Sequence, residues 1–188
     1  MSAHMDVIEG DVSRESSKSR VPLLGDRTDA KTLLDAKILL DAKTLLLDLL
    51  AVIPDGEKSA AFFAEDGVLE LPFLPTRHQG HAAIKQFYNY VGGTLYPDFR
   101  IKPADTKVLI DTPDRVFAEY MVHARAASTG RLIHLLFTGL LVAENGKIKL
   151  LRETLNTAAN AQALNPNGAA DLPPPEGEIF SVPPDYVS

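Results

Sequence analysis

The chain contains no cysteine, which removes a disulfide framework, a thiolate nucleophile and any cysteine-ligated metal site. No apolar run approaches the roughly 20 residues of a membrane span, so no membrane partner is expected. Its 19 basic and 25 acidic residues leave a net charge of −6. No basic cluster offsets that balance, which argues against a nucleic-acid partner. The five histidines form no His-x-His or His-x-x-x-His pair, and no metal site is expected. The chain also lacks a glycine-rich phosphate loop and a Gly-x-Ser-x-Gly elbow, and no cofactor is expected. Met1 to Arg27 has no apolar segment of the secretory kind. With the missing cysteines, this gives a cytoplasmic setting as the expectation.

What is present suits one globular domain with tails: 188 residues, 45% apolar and 23% charged, enough for a real core. Residues 1–27 are polar and Ser-rich and read as a disordered arm. Residues 28–164 read as the domain. Residues 165–188, with Pro173-Pro174-Pro175 and Pro183-Pro184, read as an extended tail. Its Ile179, Phe180, Val182 and Tyr186 are apolar enough to lie on the domain or on a second subunit.

Thr28 to Ile53 carries a six-residue repeat: Asp29-Ala30-Lys31-Thr32-Leu33-Leu34 recurs from Asp35 and again from Asp41. Ala, Leu and Lys favour helix, and Pro54 ends it. A period of six does not match 3.6, so the leucines are expected to spread around the helix. A second helix is predicted over 55–64 with Asp55 as N-cap. Asp66-Gly67 is expected to turn the chain into a strand over 68–73, made an edge or cut short by Pro72 and Pro75. Thr76 to Gly80 reads as a loop. His81 to Val91 reads as a third helix with Ala82, Ile84, Phe87, Tyr88 and Val91 inward, broken by Gly92-Gly93. Strands follow over 99–102, 106–110, 115–126, 131–142 and 147–155. Helices first and a long meander afterwards is an α+β order. Such a sheet curls, and the helices close its concave side into a cone with one pocket.

Alternation in the last strand puts Leu151, Glu153 and Leu155 on one face, with Ile148, Leu150, Arg152 and Thr154 on the other. A carboxylate between leucines is desolvated, which raises its pKa and suits proton transfer near neutrality. The plain alternative is an outward or salt-bridged Glu153. Tyr120 shares its face with Ala118, Val122 and Ala124. It is either a hydroxyl donor to a substrate oxygen or a core tyrosine. Tyr88 has the inward spacing on the third helix. His123 and His134 fall on the outer sheet face, suited to solvent or a dimer interface. His78 and His81 flank the loop at the cone's mouth.

Phe62-Phe63-Ala64-Glu65-Asp66-Gly67-Val68 resembles the start of the first strand in SnoaL-like proteins of the NTF2-like superfamily. Gly80 to Phe87, followed by Tyr96-Pro97-Asp98-Phe99, and Glu144 to Ile148 resemble two further motifs of that family. The resemblance covers about residues 30–164 and implies an NTF2-like cone: three N-terminal helices packed on a curved, mostly antiparallel sheet. It is similar to polyketide cyclases, ketosteroid isomerases, limonene epoxide hydrolases and phenazine-biosynthesis A/B proteins, which implies secondary metabolism and acid–base groups inside the cone. The isomerase base would fall near Leu71, where no carboxylate stands. The epoxide hydrolase Arg-x-Asp positions are Tyr120 and Val122 here. Arg152-Glu153-Thr154-Leu155-Asn156 is similar to the end of the phenazine proteins, whose glutamate acts as an acid.

The expectation is therefore a cofactor-free isomerase, cyclase or dehydratase acting on a small, mostly apolar metabolite, in a homodimer formed through the outer sheet face. Glu153, Tyr120 and Tyr88 are the catalytic candidates, and Leu69, Leu71, Phe137, Leu151, Leu155 and Asn156 the substrate-binding ones. Two other readings stay open. One is a binding module of the same fold, which a sparse set of pocket polar groups would suit. The other is an interaction protein using the repeat helix and tail.

Overall fold

The computed structural model describes residues 40–172, apart from 73 and 75. The arm, the first two copies of the repeat and the tail beyond 172 lie outside the described residues.

Helix α1 (Ala42–Val52) starts where the third copy of the repeat starts. Asp41 caps it, accepting a hydrogen bond from the Thr44 amide at 2.7 Å, which satisfies one of the orphan donors of the first turn. Ala42, Leu45, Leu46, Leu49 and Leu50 are buried. Past Leu46 the chain leaves the repeat, and Leu49 and Leu50 follow Leu45 and Leu46 four residues on, which makes one buried stripe. The leucines Leu33, Leu34 and Leu39 of the first two copies, whose spread is expected, lie outside the described residues. Helix α2 (Gly56–Ala60) is capped by Asp55 through the Lys58 amide at 3.1 Å. It is shorter than predicted because Phe63 already belongs to the first strand.

Six strands form one sheet: β1 (Phe63–Leu71), β2 (Thr76–Gln79), β3 (Arg100–Asp111), β4 (Arg115–Arg125), β5 (Leu132–Glu144) and β6 (Lys147–Leu155). Their order is β2-β1-β6-β5-β4-β3. All neighbours are antiparallel except β1 and β6, which are parallel. Helices pack against this curved sheet, an α+β architecture with the predicted order of parts.

Several boundaries differ from the sequence reading. Asp66-Gly67 is not a turn but part of a bulge within β1, where the register to β6 shifts between Phe63 and Val68. A β-carbon on Gly67 would stand 2.7 Å from the Ile148 carbonyl oxygen, so the bulge needs glycine. β1 is not an edge, because residues 76–79, expected as loop, pair outside it as β2. The two strands predicted over 99–102 and 106–110 are one, β3, with a register shift between Ile101 and Thr106. Helix α3 (Gly80–Tyr90) buries Ile84 and Tyr88 but leaves Ala82 exposed. Gly92-Gly93 does not break the chain away: residues Val91–Leu95 continue as a π-helical turn.

β6 departs from simple alternation at one point. The pairing to β5 shifts between Val142 and Ala143, so that Lys149 is an extra residue. Ile148, expected on the outer face, is consequently fully buried together with Leu151. From Leu150 onward the alternation holds, and Leu151 and Glu153 are buried while Thr154 is exposed.

The core has two clusters. One joins α1 to the sheet and contains Tyr88, Tyr120, Leu71 and Leu151. The other contains Val91, Tyr96, Ala124, Ile133 and Leu135. Phe87, Phe99 and Phe137 pack against both.

Candidate active site

The central three strands set the site. Glu153 of β6 pairs with Gly139 of β5, and Gly139 pairs with Ala118 of β4. Tyr120 lies two residues along β4 on the same face, and its hydroxyl donates a hydrogen bond to Glu153 Oε1 across Gly139. A β-carbon at Gly139 would stand 2.8 Å from the Tyr120 hydroxyl oxygen, so glycine opens the path between the two strands. The Tyr120 ring stacks on its cross-strand partner Phe137, centroids 5.9 Å apart and planes inclined by 17°.

Tyr88 comes from the facing helix α3. It is 2% exposed, and its hydroxyl has no hydrogen-bond partner among the described residues. Burial, and secondarily the Glu153 charge, push its phenol well above the usual tyrosine range. Burial likewise raises Tyr120, with the Glu153 charge and their hydrogen bond adding to the effect. Both phenols are neutral donors over any ordinary pH.

Glu153 is 5% exposed. Burial pushes its carboxyl up to about 7, against the opposing effect of the Tyr120 hydrogen bond. A carboxyl at this position on the pH scale accepts and returns protons readily near neutrality.

These three groups face a cavity of about 80 Å³ whose walls are otherwise largely apolar, including Leu71, Phe87, Phe99, Phe137 and Leu155. Of the expected wall residues, three need correction. Leu69 and Leu151 are neighbours across β1 and β6 and are fully buried in the core, outside the cavity lining. Asn156 instead caps helix α4 (Thr157–Leu164), accepting from the Ala159 amide at 3.0 Å.

Two polar residues of the cavity, Tyr96 and Asn160, are not among the residues the sequence points to. The Tyr96 hydroxyl donates to Asn160 Oδ1 at 2.5 Å. Tyr96 sits in an irregular connection and Asn160 on a short helix without an amphipathic pattern, so neither carried a periodic signal. Gly139 was missed as well. Only an inward glycine in a central strand hinted at a close approach there.

The histidines lie elsewhere. On the outer sheet face His123 and His134 are cross-strand partners with their Nδ1 atoms 2.7 Å apart, and His123 Nε2 is 2.9 Å from Asp105. His78 packs on the Phe87 ring at 4.6 Å, and burial lowers its pKa. His81 Nε2 donates to the Phe63 carbonyl at 2.8 Å. Among the described residues, no group of three or more side chains is placed to hold a metal ion.

The arrangement is thus a curved sheet closed by helices over a cavity that holds a buried carboxyl. The chain belongs to the SnoaL-like domain family, which matches residues 54–151. Solved structures share the fold. A phenazine biosynthesis-related protein from Pseudomonas aeruginosa is 19% identical, covering 83% of this chain and 99% of its own, with a TM-score of 0.58. A protein from Catenulispora acidiphila with a ketosteroid isomerase-like fold, in complex with trimethylamine, is 14% identical; coverage is 69% and 97%, and the TM-score 0.60. A candidate polyketide cyclase from Xanthomonas campestris is 23% identical, with coverage of 61% and 90% and a TM-score of 0.54. At these identities the likeness is one of fold. No functionally curated protein matches the chain.

Proposed function

We propose that the protein is an acid–base enzyme of the isomerase, cyclase or dehydratase type, acting on a small, largely apolar metabolite. One observation carries this reading: a buried carboxyl raised to about 7 and a buried tyrosine hydroxyl with no hydrogen-bond partner among the described residues, both facing an apolar cavity. The roles separate by geometry. Tyr120 already spends its proton on Glu153 and orients that carboxyl. Tyr88 keeps its donor for a substrate oxygen.

In the ionised state Glu153 removes a proton from carbon next to a carbonyl; the C–H electron pair becomes the C=C bond of an enolate while the carbonyl π pair moves onto its oxygen. Tyr88 donates a hydrogen bond to that oxygen as negative charge gathers on it. The proton on Glu153 then returns to a different carbon, giving an isomer, or protonates a departing hydroxyl, giving an alkene and water. The exclusion of water by Phe87, Phe99 and Phe137 strengthens both interactions. The test is turnover of small enolisable ketones and β-hydroxyketones by the wild type and Glu153→Gln. Loss of at least 100-fold in kcat supports the proposal, and full activity of the variant overturns it.

A second reading is a binding module that holds a ligand without turnover. The trimethylamine complex of the Catenulispora relative and the few polar groups in the cavity favour it. Saturable binding of a ligand that is recovered unchanged after prolonged incubation would select it. We also infer a homodimer through the outer face of β4 and β5, where Leu132 and Leu136 are exposed. Light scattering of the full chain reports this directly. A cytoplasmic setting suits such an enzyme.

A further inference from the structure

The cavity has a second polar station that the proton-transfer chemistry does not use. Asn160 Oδ1 accepts the Tyr96 hydroxyl hydrogen, and the Asn160 amide nitrogen makes no hydrogen bond among the described residues. Its two N–H donors are therefore unspent. Asn160 is half-buried and lines the same cavity as Glu153.

The two stations belong to different parts of the core. Tyr88 and Tyr120 pack in the cluster under α1, whereas Tyr96 packs in the other cluster with Ala124. Tyr120 and Ala124 lie four residues apart on one face of β4, so the two clusters follow one another along that strand. Phe87, Phe99 and Phe137 touch both clusters and form an aromatic waist between the stations.

The second station is also held in place. Helix α4 is capped by Asn156. Near its far end Arg131 donates to the carbonyls of Asn165 at 2.8 Å and Pro166 at 2.9 Å, and Thr129 donates to Ala163. Such anchoring lowers the ordering cost of a hydrogen bond made by Asn160. Among the described residues, no lysine, arginine or histidine lines the cavity. The station thus offers neutral donors, suited to a carbonyl, hydroxyl or ether oxygen and not to a carboxylate or phosphate.

We propose that the ligand is an elongated, flat, apolar molecule with a neutral oxygen function at each end, one at Tyr88 and Glu153 and the other at Asn160. This rests on the acid–base reading of the first station. Asn160 is then a specificity-determining residue: it touches the end of the ligand remote from the reacting carbon.

Two probes test this, 2-naphthol with one oxygen and 2,6-dihydroxynaphthalene with one at each end, titrated calorimetrically into the full chain. The two-ended probe is expected to bind about tenfold tighter, the scale of one well-made hydrogen bond in a dry site. In Asn160→Leu that ratio falls to near one, and Tyr96→Phe reduces the ratio part of the way. Absence of a preference in the wild type, or a preference that survives in Asn160→Leu, overturns the proposal. Glu153→Gln separates the two readings. If it keeps full turnover while the probe ratio still depends on Asn160, the acid–base reading fails and the second station stands.

Discussion

Gly139 stands directly beneath the Tyr120 hydroxyl, where a β-carbon would lie 2.8 Å from the phenolic oxygen. The glycine lets a side chain of β4 cross β5 and reach Glu153 on β6. Gly139→Ala forces the ring aside or shifts the strands. The expected cost is about 1–3 kcal/mol of stability, together with loss of the Tyr120–Glu153 hydrogen bond. Denaturant unfolding and the Tyr120 hydroxyl proton resonance check the two effects.

Tyr120→Phe removes the hydrogen bond that favours the charged carboxyl, while the burial of Glu153 is unchanged. Its pKa should therefore climb above the present value of about 7. Carbon-detected NMR titration measures this shift. A fall in the Glu153 pKa would contradict the assigned role of Tyr120.

The same carboxyl makes stability depend on pH. Its pKa is about 7 in the fold and near 4.5 when unfolded, so between those values the native state binds more protons. Stability then falls as pH rises through this window and levels off above it, by roughly 3 kcal/mol in total for this one group. Glu153→Gln abolishes that component. The difference between wild-type and variant unfolding free energies, followed from pH 4 to pH 8, isolates Glu153 from the histidines that titrate in the same range.

Tyr88→Phe deletes a buried hydroxyl that has no hydrogen-bond partner among the described residues. Removing an unsatisfied polar group relieves its desolvation cost, so the variant should be as stable as the wild type or more so, by up to about 1–3 kcal/mol. Turnover should nonetheless drop at least tenfold, because the substrate oxygen loses its donor. A variant that is both less stable and fully active would refute this separation of structural and chemical roles.

Much of the site could be read from alternation alone. Glu153 between Leu151 and Leu155, and Tyr120 between Ala118 and Val122, are inward because a strand leaves no other choice once one face is buried. Tyr88 followed from helical spacing in the same way. The failures occur where periodicity is interrupted. Lys149 and residues 64–67 sit in bulges, which sequence patterns do not mark, so alternation alone puts Ile148 on the outer face and reads Asp66-Gly67 as a turn. Strand β2 reads as a loop because four polar residues at an edge carry no hydrophobic signal. The cavity role of Tyr96 and Asn160 arises from long-range packing of a connection against the last helix, a relationship no local pattern encodes.

The facing bulges of β1 and β6, bridged by the Lys149–Asp66 ion pair, have an evolutionary consequence. An added or lost residue at that end of the sheet can be absorbed by the irregular ladder, and descendants of this chain can vary in length there. Between Leu150 and Glu153 the ladder is regular, and a single inserted codon would rotate the carboxyl to the outer face and the Arg152 side chain into the cavity. Length variation among relatives should accordingly gather around residues 64–67 and 145–149 and spare the four residues that end at Glu153.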